Sequence, residues 1–426
     1  MIALGKKAAI LGMGISGVQT ALFLKQHGFE VFVSEMRSNA ETQELNQQLH
    51  SQGIETELGR HSLEKILLSD WVMISPGISP FTDIYRDLGR YQKPILSEIE
   101  VASRFCVSRK IIAITGTAGK TTAATIITEW LQNNNQPVIS CGNIGNPWIG
   151  ELARITPQHF VVIEVSSFQL FSCSQFHPQI GILLNISPNH LDWHGTQEEY
   201  VLSKLKLFHN QDVEDLAVFQ SRDRKGYFPQ QYFQAQTVEF DREENLPGIE
   251  RVLRILARFL KFPENTVDKT IAEFKGIEHR LEQVAVHRGV TFVNDSKCTT
   301  PLSLAYALER YADQQVILLA GGRAKSSDFD ILKPLLQKKV KQAFVFGESA
   351  ERIYEAWKGA CPMMAVNDLS EAFHQAAGLA AAGDQILLSP ACASFDQFKN
   401  YQARGIFFKE KVFEWADKSL RSIHAS

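Results

Sequence analysis

The sequence has no closely spaced cysteine pair, no long apolar run and no strong excess of charge of one sign. Its six cysteines are scattered through 426 residues, which indicates free thiols in a reducing cytoplasm and excludes a disulfide framework or a zinc site of the usual spacing. No apolar run approaches the ~18 residues of a membrane-spanning helix. The formal net charge of -3 gives no indication of a nucleic-acid partner or an anionic membrane.

The composition is that of an ordinary globular protein, with 44% hydrophobic and 21% charged residues. At roughly 100–200 residues per domain, the length predicts two to four domains. The opening MIALGKKAAILGMG runs directly into a glycine turn and has no small-residue cleavage site. It is therefore interpreted as a strand and not as a signal peptide.

Short apolar runs alternate with helix-length amphipathic runs in three successive blocks. The apolar runs are AAILGMG, EVFVSE and WVMISPG, then IIAITG, PVISCGN, FVVIEVSS and IGILLNIS, then VTFVNDS, VILLAGG, QAFVFGE and QILLSPA. Near-continuous apolar strands separated by helices predict buried parallel sheets. The predicted fold class is therefore α/β, with three doubly wound α/β domains in series.

We expect domain boundaries that give residues 1–98, 99–278 and 279–426. The first and third domains are expected to be Rossmann-like, and the central one to be of the phosphate-loop type. Residues 220–275 are the least defined stretch, where the pattern predicts one helix, at IERVLRILARFL.

A first glycine motif, GMGISG at residues 12–17, follows a predicted strand and opens a predicted helix. Glycines at this spacing let backbone N–H groups approach a pyrophosphate at a helix N-terminus. Glu35 ends the next strand, about where a ribose-binding acid would lie. The motif alone leaves three interpretations open: a nicotinamide dinucleotide, another nucleotide diphosphate such as UDP, and a purely structural turn.

A second glycine motif, GTAGKTT at residues 116–122, again lies between a predicted strand and a predicted helix. Its backbone amides would hold phosphates, Lys120 would neutralise their charge, and a threonine hydroxyl can ligate magnesium. The motif lacks the first glycine of the full GxxxxGK[ST] pattern. A chance Gly-Lys-Thr turn is the alternative, and the strand–helix context argues against it.

Polar side chains follow the strands of the second block. Asn143, Glu164, Ser166 and His190 all come at or just after a strand end. Ligands of open α/β sheets bind beyond the carboxyl ends of the strands, so we expect these groups to converge on the phosphate site. Glu164 is suited to magnesium, with a solvent-facing strand end as the alternative. A satisfied structural histidine is the alternative for His190.

These motifs together resemble the Mur ligase family, which builds the peptide stem of peptidoglycan. The resemblance covers nearly the whole chain. GGRAKSSDF and LSPACASFDQFKNYQARG, with GMGISG and SPGIS, are most similar to the branch that adds D-glutamate. The other segments that carry the resemblance are GTAGKTT, EVSSFQL, NISPNHLDWHG, EEYVLSKLKLF, GIEHRLE and FVNDSKCTT.

The resemblance implies an ATP- and Mg²⁺-dependent ligase with a UDP-binding domain, a central ATPase domain and a C-terminal domain that binds the amino acid. Its implied substrates are ATP, D-glutamate and UDP-N-acetylmuramoyl-L-alanine. ATP would phosphorylate the alanine carboxylate, and the D-glutamate amine would attack the resulting acyl phosphate. A cytoplasmic monomer is expected.

The resemblance also implies sets of site residues. The ATP set is Gly116, Thr117, Gly119, Lys120, Thr121, Thr122, Arg280 and Asp295. The UDP-substrate set is Gly14, Ile15, Ser16, Glu35, Arg37, Gly77, Asn143 and Ser166. The amino-acid set is His279, Thr299, Lys325, Ser394, Phe395 and Tyr401. The metal set is Thr121, Glu164, His190 and Lys204, with Lys204 carrying a carbamate. The catalytic set is Lys120, His190, Lys204, Arg280 and Lys297.

The chain departs from the family pattern in places. Ala118 replaces the usual Asn of the phosphate loop, Arg323 stands where an acid is frequent, and Tyr401 replaces a Phe. Residues 242–245 depart from the GxHN segment near adenine. Lys206, close to the modified lysine, is expected to be an ordinary surface residue.

Other functions remain as alternatives at this point. One is another amide ligase with the same ATPase core, either a different Mur ligase or a folylpolyglutamate synthase; the latter would lack the first glycine-turn domain. A nicotinamide-dependent dehydrogenase would rest on residues 12–17 alone and leave GTAGKTT unexplained. A non-catalytic nucleotide-binding regulator is a third alternative, which ATP turnover would exclude.

Overall fold

The structure, a computed structural model, describes residues 5–143, 145–227, 233–241, 248–324 and 329–423. The chain divides into two compact units, Met1–Phe274 and Lys275–Ser426. Among the helices in these ranges, none combines the length and the hydropathy needed to cross a bilayer. The first unit contains two α/β domains and the second unit one, as the sequence pattern predicts.

The first domain is a parallel sheet of five strands in the order β3-β2-β1-β4-β5. Successive residues of β1 point to opposite faces: Ala8 and Ile10 join one core, Ala9 and Leu11 another. Since β1 lies between β2 and β4, the loops after β1 and β4 flank the switch point at which such sheets bind ligands. The elements are β1 (Lys7–Leu11), α1 (Ile15–Gln26), β2 (Glu30–Glu35), α2 (Ala40–Ser51), β3 (Glu55–Leu58), α3 (Leu63–Leu67), β4 (Trp71–Ile74), α4 (Asp83–Arg90), β5 (Ile95–Leu96) and α5 (Glu98–Phe105).

The second domain is a parallel sheet of six strands in the order β11-β10-β9-β6-β8-β7. Its β6 is buried on both faces, with Ile112 and Ile114 in one core and Ile111 and Ala113 in the other. The elements are β6 (Ile111–Thr115), α6 (Lys120–Asn133), β7 (Val138–Gly142), α7 (Trp148–Glu151), β8 (Phe160–Glu164), α8 (Ser167–Phe171), β9 (Ile180–Leu183), α9 (Leu191–His194), α10 (Gln197–Leu205), β10 (Leu216–Gln220), α11 (Ser221–Tyr227), β11 (Gln236–Phe240), α12 (Gly248–Leu260) and α13 (Asn265–Glu273).

Helix α5 fastens the first domain to the second through two buried glutamates. Glu98 Oε1 accepts a hydrogen bond of 2.7 Å from the backbone N–H of Ile149. The Glu100 carboxylate accepts the backbone N–H groups of residues 174–176 and, at 2.7 Å, the guanidinium of Arg104. These bonds join the first domain to the second within one compact unit.

The second unit is a six-stranded sheet in the order β12-β13-β17-β14-β15-β16, parallel except for the antiparallel β12–β13 pair. Positive φ at both Arg288 and Gly289 makes the tight hairpin turn between these two strands. The elements are β12 (Glu282–His287), β13 (Val290–Asn294), α14 (Pro301–Leu308), β14 (Val316–Gly321), α15 (Lys333–Lys339), β15 (Val340–Phe346), α16 (Ala350–Trp357), β16 (Met363–Ala365), α17 (Leu369–Leu379), β17 (Gln385–Leu388) and α18 (Tyr401–Ile423).

Candidate active site

The three glycines of the first loop have two roles. Two of them are required by the backbone geometry, and the third leaves space for a ligand. Gly12 has φ of +100°, and a Cβ on Gly17 would lie 2.0 Å from the Gly12 carbonyl oxygen. Those two positions therefore require glycine for the turn and for the approach of α1. A Cβ on Gly14 would meet no described atom within 4 Å. Gly14, at the start of α1, is therefore open to a ligand.

Glu35 ends β2 and clamps this loop. Its carboxylate accepts the backbone N–H of Met13 at 2.8 Å, and the backbone N–H and guanidinium of Arg37 at 2.9 and 3.1 Å. Burial alone would raise the pKa of Glu35, but the Arg37 and Met13 hydrogen bonds outweigh it and hold the pKa below its ordinary value. The charged carboxylate thus fixes the turn and orients Arg37.

The loops after β1, β2 and β4 enclose a cleft of about 1070 Å³. It contains six of the predicted UDP-substrate residues, and Arg60 and Arg86 add further positive charge to its wall. The lining includes Gly14, Ile15, Ser16, Glu35, Arg37, Gly77, Arg60, His61, Phe81 and Arg86. Asn143 and Ser166 lie instead in the second domain, so the predicted set spans both domains of the first unit.

The second glycine loop, residues 116–119, turns from β6 into α6. Gly116 has φ of +154° and Gly119 φ of +83°, conformations that other residues rarely adopt. Lys120 Nζ donates to the Gly116 carbonyl at 2.9 Å and to the Thr117 carbonyl at 3.4 Å. The loop therefore has the backbone shape and the lysine of a phosphate cradle. Thr121 and Thr122 form the first turn of α6, half-buried beside it.

Lys204, in α10, lies beneath this loop and is almost completely buried. Its Nζ donates to the Gly116 carbonyl at 3.0 Å and to Thr115 Oγ1 at 3.3 Å. Burial lowers the pKa of Lys204 well below its usual range; the charge of Lys120 lowers it further, and Glu164 opposes them. Two amines that share one carbonyl repel each other when both are protonated, so the buried one is the one to lose its proton.

Glu164 and Asn143 meet at the ends of neighbouring strands. Asn143 Nδ2 donates to Glu164 Oε1 at 3.0 Å. The other oxygen, Oε2, is buried and accepts no hydrogen bond from any residue of the described ranges. A buried carboxylate oxygen without a partner is costly, and it is the ligand type that magnesium prefers. The residues present therefore fit a divalent cation.

His190 follows β9 in a left-handed conformation, with φ of +55°, and is exposed. Its ring centroid lies 4.7 Å from that of Phe168. His194, which sequence reasoning did not single out, is buried between Ser167 and Ser203. Burial, reinforced by the charges of His190 and Lys204, lowers the pKa of His194 to about 4, so this imidazole is neutral.

Two further residues of the second domain, Ser166 and Lys206, make internal contacts that a ligand-binding role alone would not predict. Ser166 caps α8, where its hydroxyl accepts the backbone N–H of Gln169 at 3.2 Å. The expectation that Lys206 is an ordinary surface lysine is wrong. Its Nζ donates to the Phe171 carbonyl, and burial lowers its pKa.

The second unit brings several predicted residues to the carboxyl ends of β13 and β17. Asp295, 5% exposed, accepts the Ser389 hydroxyl at 2.6 Å and the backbone N–H of Leu281 at 3.2 Å. Burial raises the pKa of Asp295 to about 6, against the hydrogen bond from Ser389 and the charge of Arg280. Arg280 is half-buried nearby.

His279, Lys297 and Tyr401 form a second group in this unit. His279 is buried, with Nδ1 2.9 Å from Asn294 Nδ2, and burial lowers its pKa. Lys297 Nζ lies 5.8 Å from the ring centroid of Tyr401. The His279 imidazole therefore bonds within the unit, whereas Lys297 is half-buried and lies near the ring of Tyr401.

The remaining residues of the predicted amino-acid set differ in how exposed they are. Ser394 is 2% exposed, and its Oγ finds no hydrogen-bond partner among the described residues. Phe395 is 61% exposed, and Thr299 is half-buried after β13. Lys325 and the departing segment 242–245 lie outside the described residues.

Arg404, in α18, is a fully buried arginine that sequence reasoning quoted within a motif but did not single out. Its guanidinium donates to the carbonyls of Ser296 at 2.8 Å, Cys392 at 3.0 Å and Gly321 at 3.4 Å. It thereby ties together the loops after β13, β17 and β14. Those loops carry the predicted amino-acid residues.

Comparison with known proteins decides the family. The chain is 35% identical to a UDP-N-acetylmuramoylalanine–D-glutamate ligase from Aquifex aeolicus, over 96% of this chain and 99% of that protein. The chain belongs to the Mur ligase family. A ligase of the same name from Caldicellulosiruptor saccharolyticus is 36% identical, over 96% of this chain and 99% of that protein.

Family models and a solved structure agree with this assignment. Residues 6–95 match the MurD-like N-terminal domain of Mur ligases, residues 114–282 the Mur ligase middle domain, and residues 279–392 the glutamate ligase domain. A MurF ligase from Thermotoga maritima in complex with ADP, 17% identical, shares the fold with a TM-score of 0.56 over 84% of this chain and 91% of that one. Membership accounts for both glycine loops, whereas a dehydrogenase would account only for the first.

Proposed function

We propose that the chain is an ATP-dependent ligase that joins D-glutamate to UDP-N-acetylmuramoyl-L-alanine in peptidoglycan precursor synthesis. The observation that carries this proposal is that one compact unit contains both an open cleft of the nucleotide-binding type and a phosphate loop. The amines of Lys120 and Lys204 and the carboxylate of Glu164 lie beside that loop. Relatives at 35% identity bear the name of this activity.

The UDP part of the substrate fits the first cleft. Gly14 leaves room for a diphosphate at the N-terminus of α1, where backbone N–H groups and the helix dipole favour an anion. Arg37, held by Glu35, supplies a positive charge in the same cleft. Gly77 lines its wall. The sugar-peptide end would then extend toward Asn143 and Ser166.

In the first chemical step, an oxygen of the alanine carboxylate attacks the γ-phosphorus of ATP, and ADP leaves. The backbone of residues 116–122 holds the phosphates, and Lys120 offsets the charge that develops on them. Glu164, His190, Thr121 and a modified Lys204 would hold Mg²⁺. When bound, the ion neutralises phosphate charge and aligns the reacting oxygens.

In the second step, the D-glutamate amine attacks the acyl phosphate, and the tetrahedral intermediate collapses to amide and inorganic phosphate. We assign recognition of D-glutamate to Thr299, Lys325, Ser394 and their neighbours in the second unit. The unpartnered Ser394 hydroxyl supports this assignment, because a ligand carboxylate would satisfy it. We assign Arg280, Asp295 and Lys297 to ATP and the acyl phosphate.

We also propose that Lys204 carries a carbamate. Its unprotonated amine would attack CO₂, form the N–C bond and release the amine proton to solvent. The lowered pKa of Lys204 supports this step, since an ordinary lysine is rarely unprotonated near neutral pH. The product is an anion, which converts an unfavourable buried cation beside Lys120 into a metal ligand.

The same proposal includes a cytoplasmic monomer with domains at residues 1–98, 99–278 and 279–426. Heavy oxygen placed in the alanine carboxylate tests the chemistry. The acyl-phosphate route transfers one labelled oxygen to the released phosphate, which mass spectrometry detects. Amide formation with unlabelled phosphate would contradict the route.

A further inference from the structure

The phosphate loop of the second domain is held in shape by the segment that follows β9. Thr117 N donates to the carbonyl of Asn185 at 3.0 Å. The Thr117 hydroxyl accepts the backbone N–H of Ser187 at 3.0 Å and lies 2.9 Å from the hydroxyl of Tyr200. Residues 116–118 therefore run against residues 185–187, which lead directly to His190.

Asn185 makes the most specific contact of this interface. Its Oδ1 accepts the backbone N–H of Ala118 at 2.9 Å, and its Nδ2 donates to the Ala118 carbonyl at 2.9 Å. The carboxamide thus pairs with both backbone groups of one residue, as a neighbouring strand would. The pairing fixes the orientation of that peptide unit and cannot be reproduced by a side chain with only one kind of group.

The pairing uses only the backbone at position 118. The side chain of residue 118 takes no part in this pairing, so alanine can occupy the position. The segment is also anchored from its other side, where Asp223 accepts the backbone N–H of Ile186 at 3.0 Å. The segment that supports the phosphate loop is thus itself held by α11, so the loop is preorganised before a nucleotide arrives.

We propose that Asn185 is a positioning residue that sets the phosphate loop for phosphoryl transfer. It acts through Ala118 and does not itself touch the nucleotide. The inference rests on the proposed function, because the loop must hold the phosphates of ATP. Preorganisation of this kind matters because a misplacement of about 1 Å can cost on the order of 100-fold in rate.

The test compares Asn185→Ala and Asn185→Asp with Asn210→Ala in the full-length protein. Asn210 also bonds two backbone carbonyls of the second domain, at 2.9 and 3.1 Å, but it contacts residues 174 and 176 instead of the phosphate loop. It is therefore a matched control for the loss of an asparagine–backbone contact.

Steady-state kinetics with UDP-N-acetylmuramoyl-L-alanine, D-glutamate and ATP give the first readout. Asn185→Ala should raise KM for ATP and lower kcat, with a combined loss of about 100-fold in kcat/KM for ATP. KM for the UDP substrate should not change. A merely structural role would reduce the amount of active enzyme, and so kcat, while leaving KM for ATP at the wild-type value. That pattern would overturn the proposal.

Binding of a fluorescent ATP analogue, without the other substrates, gives a second readout that does not depend on ligation. Asn185→Asp keeps the shape and the acceptor for Ala118 N–H, but it sets an oxygen against the Ala118 carbonyl. It should therefore bind the analogue weakly even if the alanine variant does not fold. Wild-type affinity in folded Asn185→Asp would refute the positioning role. A wild-type protein that binds the analogue but forms no amide would instead refute the proposed function.

Discussion

At the scale of single residues, the phosphate loop depends on two amines with unlike surroundings. Lys120 and Lys204 both donate to the carbonyl of Gly116, at 2.9 and 3.0 Å. Lys120 is half-buried at the start of α6, whereas Lys204 is 1% exposed. Burial and the charge of Lys120 therefore lower the pKa of Lys204, whereas Lys120 lies nearer the surface, where the proposed phosphates would bind.

Replacement of Lys120 by alanine tests the cation. Lys120→Ala should lose on the order of 10²–10³ in kcat, the usual cost of removing one group that stabilises developing charge. Phosphate release measures the rate, and Lys269→Ala, an exposed lysine of α13, is the control. A Lys120→Ala enzyme within a few-fold of wild type would mean that this loop is not the phosphate site.

Lys204 should be required for a different reason. Lys204→Ala should be nearly inactive and should regain partial activity with a short carboxylate such as formate, which can replace the carbamate as an anionic ligand. Because burial lowers the pKa of Lys204, the loss of wild-type activity toward acidic pH should begin at a lower pH than the pKa of an ordinary lysine would set, when bicarbonate is supplied. An active Lys204→Ala enzyme that ignores added carboxylate would refute the carbamate.

The charged groups around this loop are recognisable from the sequence, but the residues that hold them in place are not. Lys120, Glu164 and Lys204 stand in recognisable motifs. Asn185 and His194 lie within the quoted segment NISPNHLDWHG, but they contact residues far apart in sequence, so their position in the motif does not indicate what they hold. Lys206 was expected to be an ordinary surface lysine of the helix, yet α10 ends at Leu205 and a tighter turn directs its side chain to Phe171.

At the scale of elements, the glycines of the first turn have two roles: Gly12 and Gly17 are required by the backbone, and Gly14 leaves space in the cleft. Gly14→Leu should raise KM for the UDP substrate and leave KM for ATP unchanged, because its side chain would project into open cleft space. Gly89→Leu is the control, since α4 also leaves open space at that glycine. Loss of ATP affinity with intact UDP-substrate binding would reverse the assignment of the two loops.

The buried strands were predictable because both faces of each sheet are covered, which makes the strands continuously apolar. Six of the strands in the described ranges were not predicted. Among them β3 (ETEL) and β12 (EQVAVH) lie at sheet edges and carry exposed polar residues, so no apolar run marks them. β10 (LAVFQ) is fully buried, but it stands next to the irregular stretch after residue 220, where the alternation of strands and helices is no longer clear.

At the scale of the whole molecule, the contact that α5 makes between the first two domains causes the stability of the first unit to depend on pH. Burial raises the pKa of Glu98 to about 7, against the hydrogen bond from Ile149, and its Oε2 has no partner among the described residues. The folded first unit therefore holds this proton more tightly than the unfolded chain. The stabilisation is complete below the ordinary value of 4.5 and is lost as pH rises through about 7.

Glu98→Gln should remove this dependence. The amide keeps the acceptor for Ile149 N–H and carries no charge, so above pH 7 it should stabilise the first unit by up to roughly 3 kcal/mol, at ~1.4 kcal/mol per pKa unit. Calorimetric melting across this pH range measures the effect, with the exposed Glu64→Gln as control. Equal pH dependence in wild type and Glu98→Gln would contradict the account.

The choice of amino acid defines the proposed ligase, and a substrate panel tests that choice most directly. Phosphate release from ATP should be measured with UDP-N-acetylmuramoyl-L-alanine and, in turn, D-glutamate, L-glutamate, L-alanine, L-lysine and diaminopimelate, with amide formation checked by mass spectrometry. We expect D-glutamate to give the highest kcat/KM by a wide margin. Equal or faster turnover with any of the other amino acids would contradict the assignment.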